Sequence, residues 1–201
     1  MRGKASDYLL LVAVFAILAL YPLINRFTTA SVRTLSSPLD TRIPFVPISI
    51  LPYLSFFVLI IWTLLSFLTG KVRLYRQMSY SIILVSIVTY SIYLSYQTRI
   101  VRPTVGEFGF IDNLVALLYS LDPPHSSFPS LHSSLSTIIA LSWVRSPSRF
   151  RYLVVCWSII IVVSTVMVKQ HHLLDALGGI ALGVVVLAGV VRLYSLVENR
   201  N

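Results

Sequence analysis

Six apolar runs, each close to the length that crosses a hydrocarbon core as a helix, restrict what this chain can fold into. A crossing takes roughly 20 helical residues, and a helix satisfies its own backbone hydrogen bonds in lipid, where no water is available. The predicted spans are residues 7–24, 48–69, 78–98, 129–145, 151–169 and 173–195. We therefore predict an all-α integral membrane protein, in which residues 1–201 form a single domain built as a six-transmembrane-helix bundle.

The composition agrees with this class of protein. Hydrophobic residues make up 56% of the chain and charged residues only 11%, whereas soluble domains have about 25% charged residues. The formal net charge is +9, which on a soluble protein would suggest nucleic acid. Here the basic residues lie between the apolar runs, which is typical of positive charge that holds loops in the cytoplasm. We expect the lipid bilayer as a partner and no nucleic acid. The sequence does not indicate whether the protein forms oligomers.

The connections between the apolar runs alternate in positive charge. The richer set contains Arg2, Lys4, Lys71, Arg73, Arg76, Arg145, Arg149, Arg151, Arg192 and Arg200. The poorer set contains Arg26, Arg33, Arg42, Arg99, Arg102 and Lys169. Because Lys and Arg are enriched in cytoplasmic loops, we predict both termini inside and the long loop 99–128, between the third and fourth helices, on the extracytoplasmic face. Residues 111–120 of this loop are apolar enough for a short interfacial helix.

Histidine and carboxylate side chains occur together near the last span, where ionisable groups are candidates for function. His171 and Asp175 are four residues apart and would share one face of a helix. The carboxylate could then accept one ring N–H and leave the other ring nitrogen basic, as in a nucleophile with its orienting group. His172 is the competing partner of Asp175. A purely structural pair or a metal site are the alternatives, but no further cluster of cysteines or carboxylates completes a metal site, so we predict no metal and no cofactor.

A second histidine, His132, falls at the start of the fourth predicted span. Pro129 suits the first turn of a helix, and Ser126 or Ser127 is the predicted cap. The start of a helix attracts anions through its unpaired N–H groups. The Ser130 hydroxyl could donate to a phosphate oxygen, and a protonated His132 could give its proton to a leaving oxygen. A structural serine-rich helix start is the alternative.

Two cations complete the candidate set on the extracytoplasmic side. Arg102 precedes Pro103, so it is disfavoured in helix interior and belongs in an extended loop. Its planar fork could bind a phosphate in a bidentate manner. Lys169 lies two residues before His171 and could add a second positive charge. Taken alone, each could simply snorkel at the membrane interface, but the ordered set on one face predicts phosphoryl chemistry on a lipid phosphate.

These residues resemble a known family. Arg102-Pro103, then Pro129-Ser130-Leu131-His132, then Ser164 through Asp175 are similar to the three motifs of the type 2 phosphatidic acid phosphatase superfamily. Its members are membrane lipid phosphatases and phosphotransferases related to vanadium haloperoxidases. The resemblance implies a metal-independent reaction through a phosphohistidine, with His171 as the nucleophile, Asp175 as its orienting group and His132 as the acid. Arg102 and Ser130 would hold the phosphate.

The sequence departs from the family pattern at three positions. Ser95 stands where the first motif has lysine, Leu131 where the second has glycine, and Thr165 where the third has arginine. Two phosphate-binding cations are therefore missing; Lys169 is the predicted substitute and Arg99 the alternative. The Pro-Ser-Leu-His and Lys-Gln-His variants, with the early Ile-Pro-Phe of residues 43–45, resemble the branch that contains inositol phosphorylceramide synthases, and this branch includes transferases.

The predicted function is a membrane lipid phosphate or diphosphate phosphatase. The alternative is a lipid phosphotransferase, in which an alcohol replaces water and a phospho-head group moves between lipids. A third possibility is a non-catalytic membrane scaffold. The presence of His132, His171 and Asp175 together disfavours the scaffold.

Overall fold

The computed structural model describes residues 4–27, 32–106 and 109–198, and the protein is all-helical within them. A 3₁₀ turn at Pro47–Ser49 leads into the third helix. Across the three described ranges there is no β-strand, only isolated bridges that join Arg33 to Thr98 and Arg99 to His125. The helices are α1 (Ala5–Ala19), α2 (Tyr21–Ile24), α3 (Ile50–Gly70), α4 (Val72–Ser95), α5 (Phe110–Leu121), α6 (Leu131–Val144), α7 (Arg151–Met167) and α8 (Leu173–Glu198).

Four helical stretches are long and apolar enough to cross a membrane. They are Ala5–Ile24, Pro47–Gly70, Val72–Ser95 and Leu173–Glu198, which is consistent with an integral membrane protein. Helices α6 and α7 are apolar but shorter, at 14 and 17 residues. The prediction of six spans therefore stays a prediction for these two helices. The predicted short helix at 111–120 is confirmed as α5.

Helix α4 begins earlier than its apolar run, which predicted a start at residue 78. Its first turns carry Arg73 and Arg76, and both arginines have carboxylate partners. The Arg76 guanidinium contacts buried Asp7 of α1 through two bonds of 2.6 and 3.0 Å, and Arg73 pairs with Glu198 of α8 at 2.6 Å. These pairs let a helix extend past its apolar part, and hydrophobicity alone does not reveal them. Arg2 and Arg200, which entered the charge argument, lie outside the described residues.

The two ion pairs of Arg73 and Arg76 also show which helix ends lie together in the bundle. The Asp7–Arg76 and Arg73–Glu198 pairs join the start of α1, the start of α4 and the end of α8. Arg145 at the end of α6 donates to Gln77 of α4 at 2.7 Å, at the same basic end. The starts of α6 and α8 therefore lie at the opposite end, together with α5.

Helix α6 occupies the centre of the bundle, in contact with α4, α7 and α8. It is both apolar and rich in serine, and its buried residues include Ser133, Ser134, Ser136, Leu135, Ile138, Ile139 and Ser142. The hydroxyls of Ser134 and Ser142 donate to backbone carbonyls one turn earlier, at 3.0 and 2.7 Å. Because neighbouring helices shield α6 on several sides, it does not need the uniformly hydrophobic surface of a lipid-facing helix.

Helices α6 and α8 approach each other closely through small residues. A Cβ atom added at Gly179 would lie 2.3 Å from the Ser130 carbonyl oxygen, and one added at Gly183 would lie 2.6 Å from that of Ser134. The Ser134 hydroxyl oxygen also lies 2.9 Å from the Gly179 carbonyl oxygen, so its single O–H is shared between the Ser130 and Gly179 carbonyls. Small residues spaced by four are the usual means of close helix contact in membranes. The crossing brings the first turns of α6 and α8 together.

We expect Gly179→Ala to destabilise the protein, because the new methyl group must push away a backbone carbonyl that cannot rotate aside. Gly189 on the same helix has no atom within 4 Å of an added Cβ, so Gly189→Ala is the matched control. Alanine is favoured over glycine in a helix by about 1 kcal/mol, so the control should unfold at the wild-type temperature or slightly above it. Thermal unfolding of the purified variants in detergent measures the difference. Equal unfolding temperatures for the two variants would contradict the close crossing.

Candidate active site

The segment before α6 and the segment before α8 are joined by direct hydrogen bonds. The Ser130 backbone N–H donates to the Asp175 carbonyl at 2.9 Å, and the ring of His171 contacts the Ser127 carbonyl oxygen at 3.0 Å. From α4, the Tyr93 hydroxyl donates to the Pro129 carbonyl at 2.8 Å. These bonds place the predicted second and third motifs side by side.

The Ser127 carbonyl determines which nitrogen of His171 carries the proton. A carbonyl oxygen only accepts, so Nδ1 of a neutral His171 must be the N–H donor in this contact. The second nitrogen, Nε2, then keeps its lone pair and is the basic atom of the ring. The sequence assigned the orienting role to Asp175. In the structure Asp175 Oδ2 lies 3.9 Å from His171 Nδ1, which is longer than a hydrogen bond.

Asp175 instead acts first on the backbone. Its Oδ2 accepts the His172 backbone N–H at 2.8 Å, the contact by which an acidic residue in the first turn satisfies the N–H ahead of a helix. His171 and His172 precede α8, so the expectation that His171 and Asp175 share a helix face is wrong. Asp175 Oδ2 is equally far, 3.9 Å, from Nδ1 of both histidines. Asp175 Oδ1 is buried and has no hydrogen-bond partner in the described part of the chain.

His132 lies in the first turn of α6 beside the other histidine. The centroids of the His132 and His171 rings are 6.4 Å apart. Aromatic rings of α3 pack against His132, with the Tyr53 centroid at 4.6 Å and that of Phe56 at 4.9 Å. Its Nε2 is buried, and no described residue hydrogen-bonds to it. The site therefore holds two imidazoles in proximity, each with a nitrogen available for chemistry.

Ser130 caps α6, which corrects the predicted cap at Ser126 or Ser127. The Ser130 Oγ accepts the Ser133 backbone N–H at 3.2 Å. Ser127 is engaged elsewhere, because its hydroxyl and the Thr98 hydroxyl are 2.9 Å apart and its backbone N–H donates to the same Thr98 oxygen at 3.1 Å. An Oγ that accepts from Ser133 still has its own O–H to donate to a ligand.

Arg102 reaches the site from the loop before α5. Its Nη1 donates to the backbone carbonyls of Asp122 and Tyr119 at 2.6 and 3.3 Å, and its guanidinium lies 4.5 Å from the centroid of the Tyr119 ring. Its Nη2 donates to the side-chain oxygen of Gln170, the residue next to His171. Arg102 is thus fixed beside the nucleophile candidate, and Gln170, which sequence reasoning passed over, is the link between them.

A partly buried carboxylate, Asp122, also belongs to this region and was not predicted. Its Oδ1 accepts from the Tyr21 hydroxyl at 3.0 Å and from the Asn25 amide at 2.6 Å. Burial raises the pKa of the Asp122 carboxyl, while Tyr21, Arg102 and His171 act in the opposite direction. An aspartate directly after the mostly apolar residues 114–121 was the sequence signal that could have revealed it.

Lys169 is directed toward a different segment. Its backbone is left-handed, with φ of 53°, and its ammonium donates to the carbonyls of Ile43 and Asp40 at 2.6 and 3.3 Å. Asp40 also accepts the Leu173 backbone N–H at 2.8 Å, so it caps α8. Burial of the Asp40 carboxyl favours its neutral form, but the N–H groups of Leu173 and Ser37 outweigh this and lower its pKa. The segment around residues 40–43 is thus tied to the start of α8.

The residues that stand in place of the missing motif cations do not provide positive charge. Ser95 is exposed and its hydroxyl donates to the Ser91 carbonyl at 2.7 Å. Thr165 is buried, and its hydroxyl donates to the Val162 carbonyl at 2.7 Å. Arg99 is exposed. Of the predicted ligands, the structure brings Arg102 and Ser130 next to the two histidines and holds Lys169 at the neighbouring 40–43 segment.

An apolar cavity of about 440 Å³ reaches His132 from the side of α1, α3 and α5. Hydrocarbon and aromatic side chains line most of it, and its polar members include His132 and Asp122. A long apolar chain with a polar head could therefore bind with its head beside His132. Within the described ranges, no three His, Cys, Asp or Glu side chains lie close enough to hold a metal ion, and the metal-independent reaction remains a prediction.

Comparison with known proteins agrees with the motifs. The family model described as the PAP2 superfamily matches residues 77–198, which is more than half of the chain and includes Arg102, His132, His171 and Asp175. No curated protein and no solved structure matches the sequence. Because the matched region contains the motif residues that the fold brings to one end of the bundle, we conclude that the chain belongs to the PAP2 superfamily, the type 2 phosphatidic acid phosphatase superfamily.

Proposed function

We propose that the protein is a membrane lipid phosphate or diphosphate phosphatase that acts through a phosphohistidine at His171. Membership of the superfamily supports phosphatase or phosphotransferase activity on lipid-like phosphates. The observation that carries the proposal is the contact of His171 Nδ1 with the Ser127 carbonyl at 3.0 Å, because it leaves Nε2 basic beside His132.

The proposed reaction has two displacements at phosphorus. His171 Nε2 attacks the phosphorus, the bond from phosphorus to the lipid or diphosphate oxygen breaks, and His132 donates a proton to that leaving oxygen. Water then attacks the phosphohistidine, its proton passes to His132, and the P–N bond breaks to release phosphate. Asp175, with an oxygen 3.9 Å from His171 Nδ1, stabilises the positive charge that develops on the attacking imidazole.

The proposed phosphate ligands are Arg102, Ser130 and Lys169. Phosphoryl transfer depends mainly on positioning and on stabilising charge on the equatorial oxygens. Arg102 and the start of α6 at Ser130 are adjacent to the histidines. Lys169 donates two N–H groups to carbonyls, which leaves the third N–H of its ammonium to donate to a phosphate oxygen. The apolar cavity next to His132 would take the hydrocarbon part of the substrate.

A phosphotransferase is the second candidate. The Pro-Ser-Leu-His and Lys-Gln-His variants favour it, because they resemble the inositol phosphorylceramide synthase branch, and the same residues would serve if an alcohol replaced water in the second step. Purified protein given a panel of lipid phosphates, with and without a lipid alcohol, separates the two. The phosphatase releases inorganic phosphate, and the transferase forms a new phospholipid.

We further propose six spans, with both termini cytoplasmic and the active site on the extracytoplasmic face of the cell membrane. The excess of Lys and Arg at the opposite end of the bundle supports this orientation. Asn113 is exposed on α5, so Asn113→Cys in a Cys156→Ser background should react with an impermeant thiol reagent added to intact cells. Arg149→Cys in the same background, at the other end of the bundle, is the control and should react only after permeabilisation. The reverse pattern would place the site in the cytoplasm.

We expect His171→Ala to abolish phosphate release from lipid phosphates while His172→Ala retains much of it. His171 is the histidine whose Nε2 is made basic by the Ser127 carbonyl, and without it no covalent intermediate can form. Both histidines are buried and both lie 3.9 Å from Asp175 Oδ2, which makes the two substitutions a matched pair. An inactive His172→Ala with an active His171→Ala would show that the other histidine is the nucleophile.

A further inference from the structure

Two buried N–H donors of the site have no acceptor among the described residues. Gln170 is 4% exposed, and its amide nitrogen Nε2 has no partner among the residues that the structure describes. The same holds for Nε of Arg102, whose Nη2 donates to the Gln170 side-chain oxygen. Burying a donor without an acceptor costs free energy, so such groups usually have an unseen partner.

The backbone ties Gln170 to the nucleophile candidate. The Thr165 carbonyl accepts the N–H of Gln170 at 3.0 Å and the N–H of His171 at 3.1 Å. One acceptor therefore fixes both residues at the turn between α7 and α8. His132 Nε2 is a third unpartnered buried nitrogen in the same region of the described structure. Unpartnered nitrogens from three segments therefore lie around His171, since Gln170 precedes it in the chain, Arg102 bonds to Gln170 and the His132 ring centroid is 6.4 Å from that of His171.

We infer that Gln170 is a phosphate-binding residue that takes the place of a missing motif cation. Its side-chain amide and the Nε of Arg102 donate to the phosphate oxygens. The identity of the substrate rests on the proposed function, whereas the binding of an oxyanion by Gln170 does not. The Gln170 oxygen is already committed to Arg102, which turns the NH₂ group of the amide into the available end. Two motif cations are missing, so Lys169 with its third N–H can take one place and Gln170 the other. The neutral Gln170 amide adds donors without adding charge.

A second Arg–Gln pair provides a control within the same chain. Arg145 Nη2 donates to the Gln77 side-chain oxygen at 2.7 Å, and Gln77 Nε2 is also buried without a partner in the described ranges. This pair lies at the basic end, away from the two histidines. The local chemistry is the same, so a substitution there reports the structural cost of altering a buried Arg–Gln pair.

The test compares Gln170→Glu with Gln77→Glu, using inorganic orthovanadate as the probe. Glutamate keeps the shape and can still pair with arginine, but it removes the amide donors and adds an anion. We expect orthovanadate to stabilise the wild type and Gln77→Glu against thermal unfolding to a similar extent. Gln170→Glu should need about tenfold more orthovanadate, or more, for the same stabilisation, which corresponds to one lost charge-assisted bond. Gln170→Met, which removes the donors without adding charge, should weaken binding in the same direction.

Phosphate release measured on the same samples separates the two proposals. A wild type that releases no phosphate from any lipid phosphate would contradict the proposed function, while the orthovanadate comparison would still test Gln170. A wild type without orthovanadate stabilisation, or Gln170→Glu and Gln170→Met that bind orthovanadate within about twofold of the wild type, would overturn the inference. If Gln170→Glu fails to fold, Gln170→Met decides the outcome.

Discussion

The close crossing of α6 and α8 is the contact on which the candidate site depends. Gly179 and Gly183 have no side chains, so α8 lies directly against the Ser130 and Ser134 carbonyls of α6. At the start of the two helices the Ser130 N–H donates to the Asp175 carbonyl. The segment that precedes α6 is thereby set against the turn that precedes α8, and the His132 and His171 rings come within 6.4 Å. A wider crossing would separate the two histidines.

The polar groups around these histidines divide into those that hold the backbone and those that are unpaired. Asp40, Asp175 and the Ser130 hydroxyl accept backbone N–H groups at the starts of α8 and α6, so they fix where each helix begins. The Ser127 carbonyl orients His171. Among the described residues, nitrogens without a partner occur at Arg102, His132, Gln170 and His172, on three separate segments at one end of the bundle, and Asp175 Oδ1 is also without a partner. This arrangement, with rigid supports around unsatisfied donors, suits a site that binds an anion and develops charge on it.

The sequence was sufficient for the helical class, the family and the choice of His132, His171, Asp175, Arg102 and Ser130 as candidates, because apolar runs and motif spacing are local patterns. It failed where a contact joins distant residues. The early start of α4 depends on Asp7, about seventy residues before Arg76. The acceptor for His171 is a backbone carbonyl at Ser127, which no side-chain pattern encodes. Gln170 and Asp40 were passed over because their roles arise from contacts with Arg102 and with the α8 backbone. The helix-face argument for Asp175 needed a helix that begins before His171, although the predicted span begins at residue 173, as α8 does.

Trapping the covalent intermediate tests the central claim most directly. A lipid phosphate labelled with ³²P at its phosphorus, mixed with excess purified enzyme and quenched in base during the first turnover, should leave label on the protein. A phosphohistidine is stable in base and labile in acid, and peptide mapping by mass spectrometry locates it. The account predicts phosphate on His171 and none on His172. Label on His172 or on a serine would contradict the account. Release of phosphate without a burst, and with no labelled protein at any time, would also contradict it.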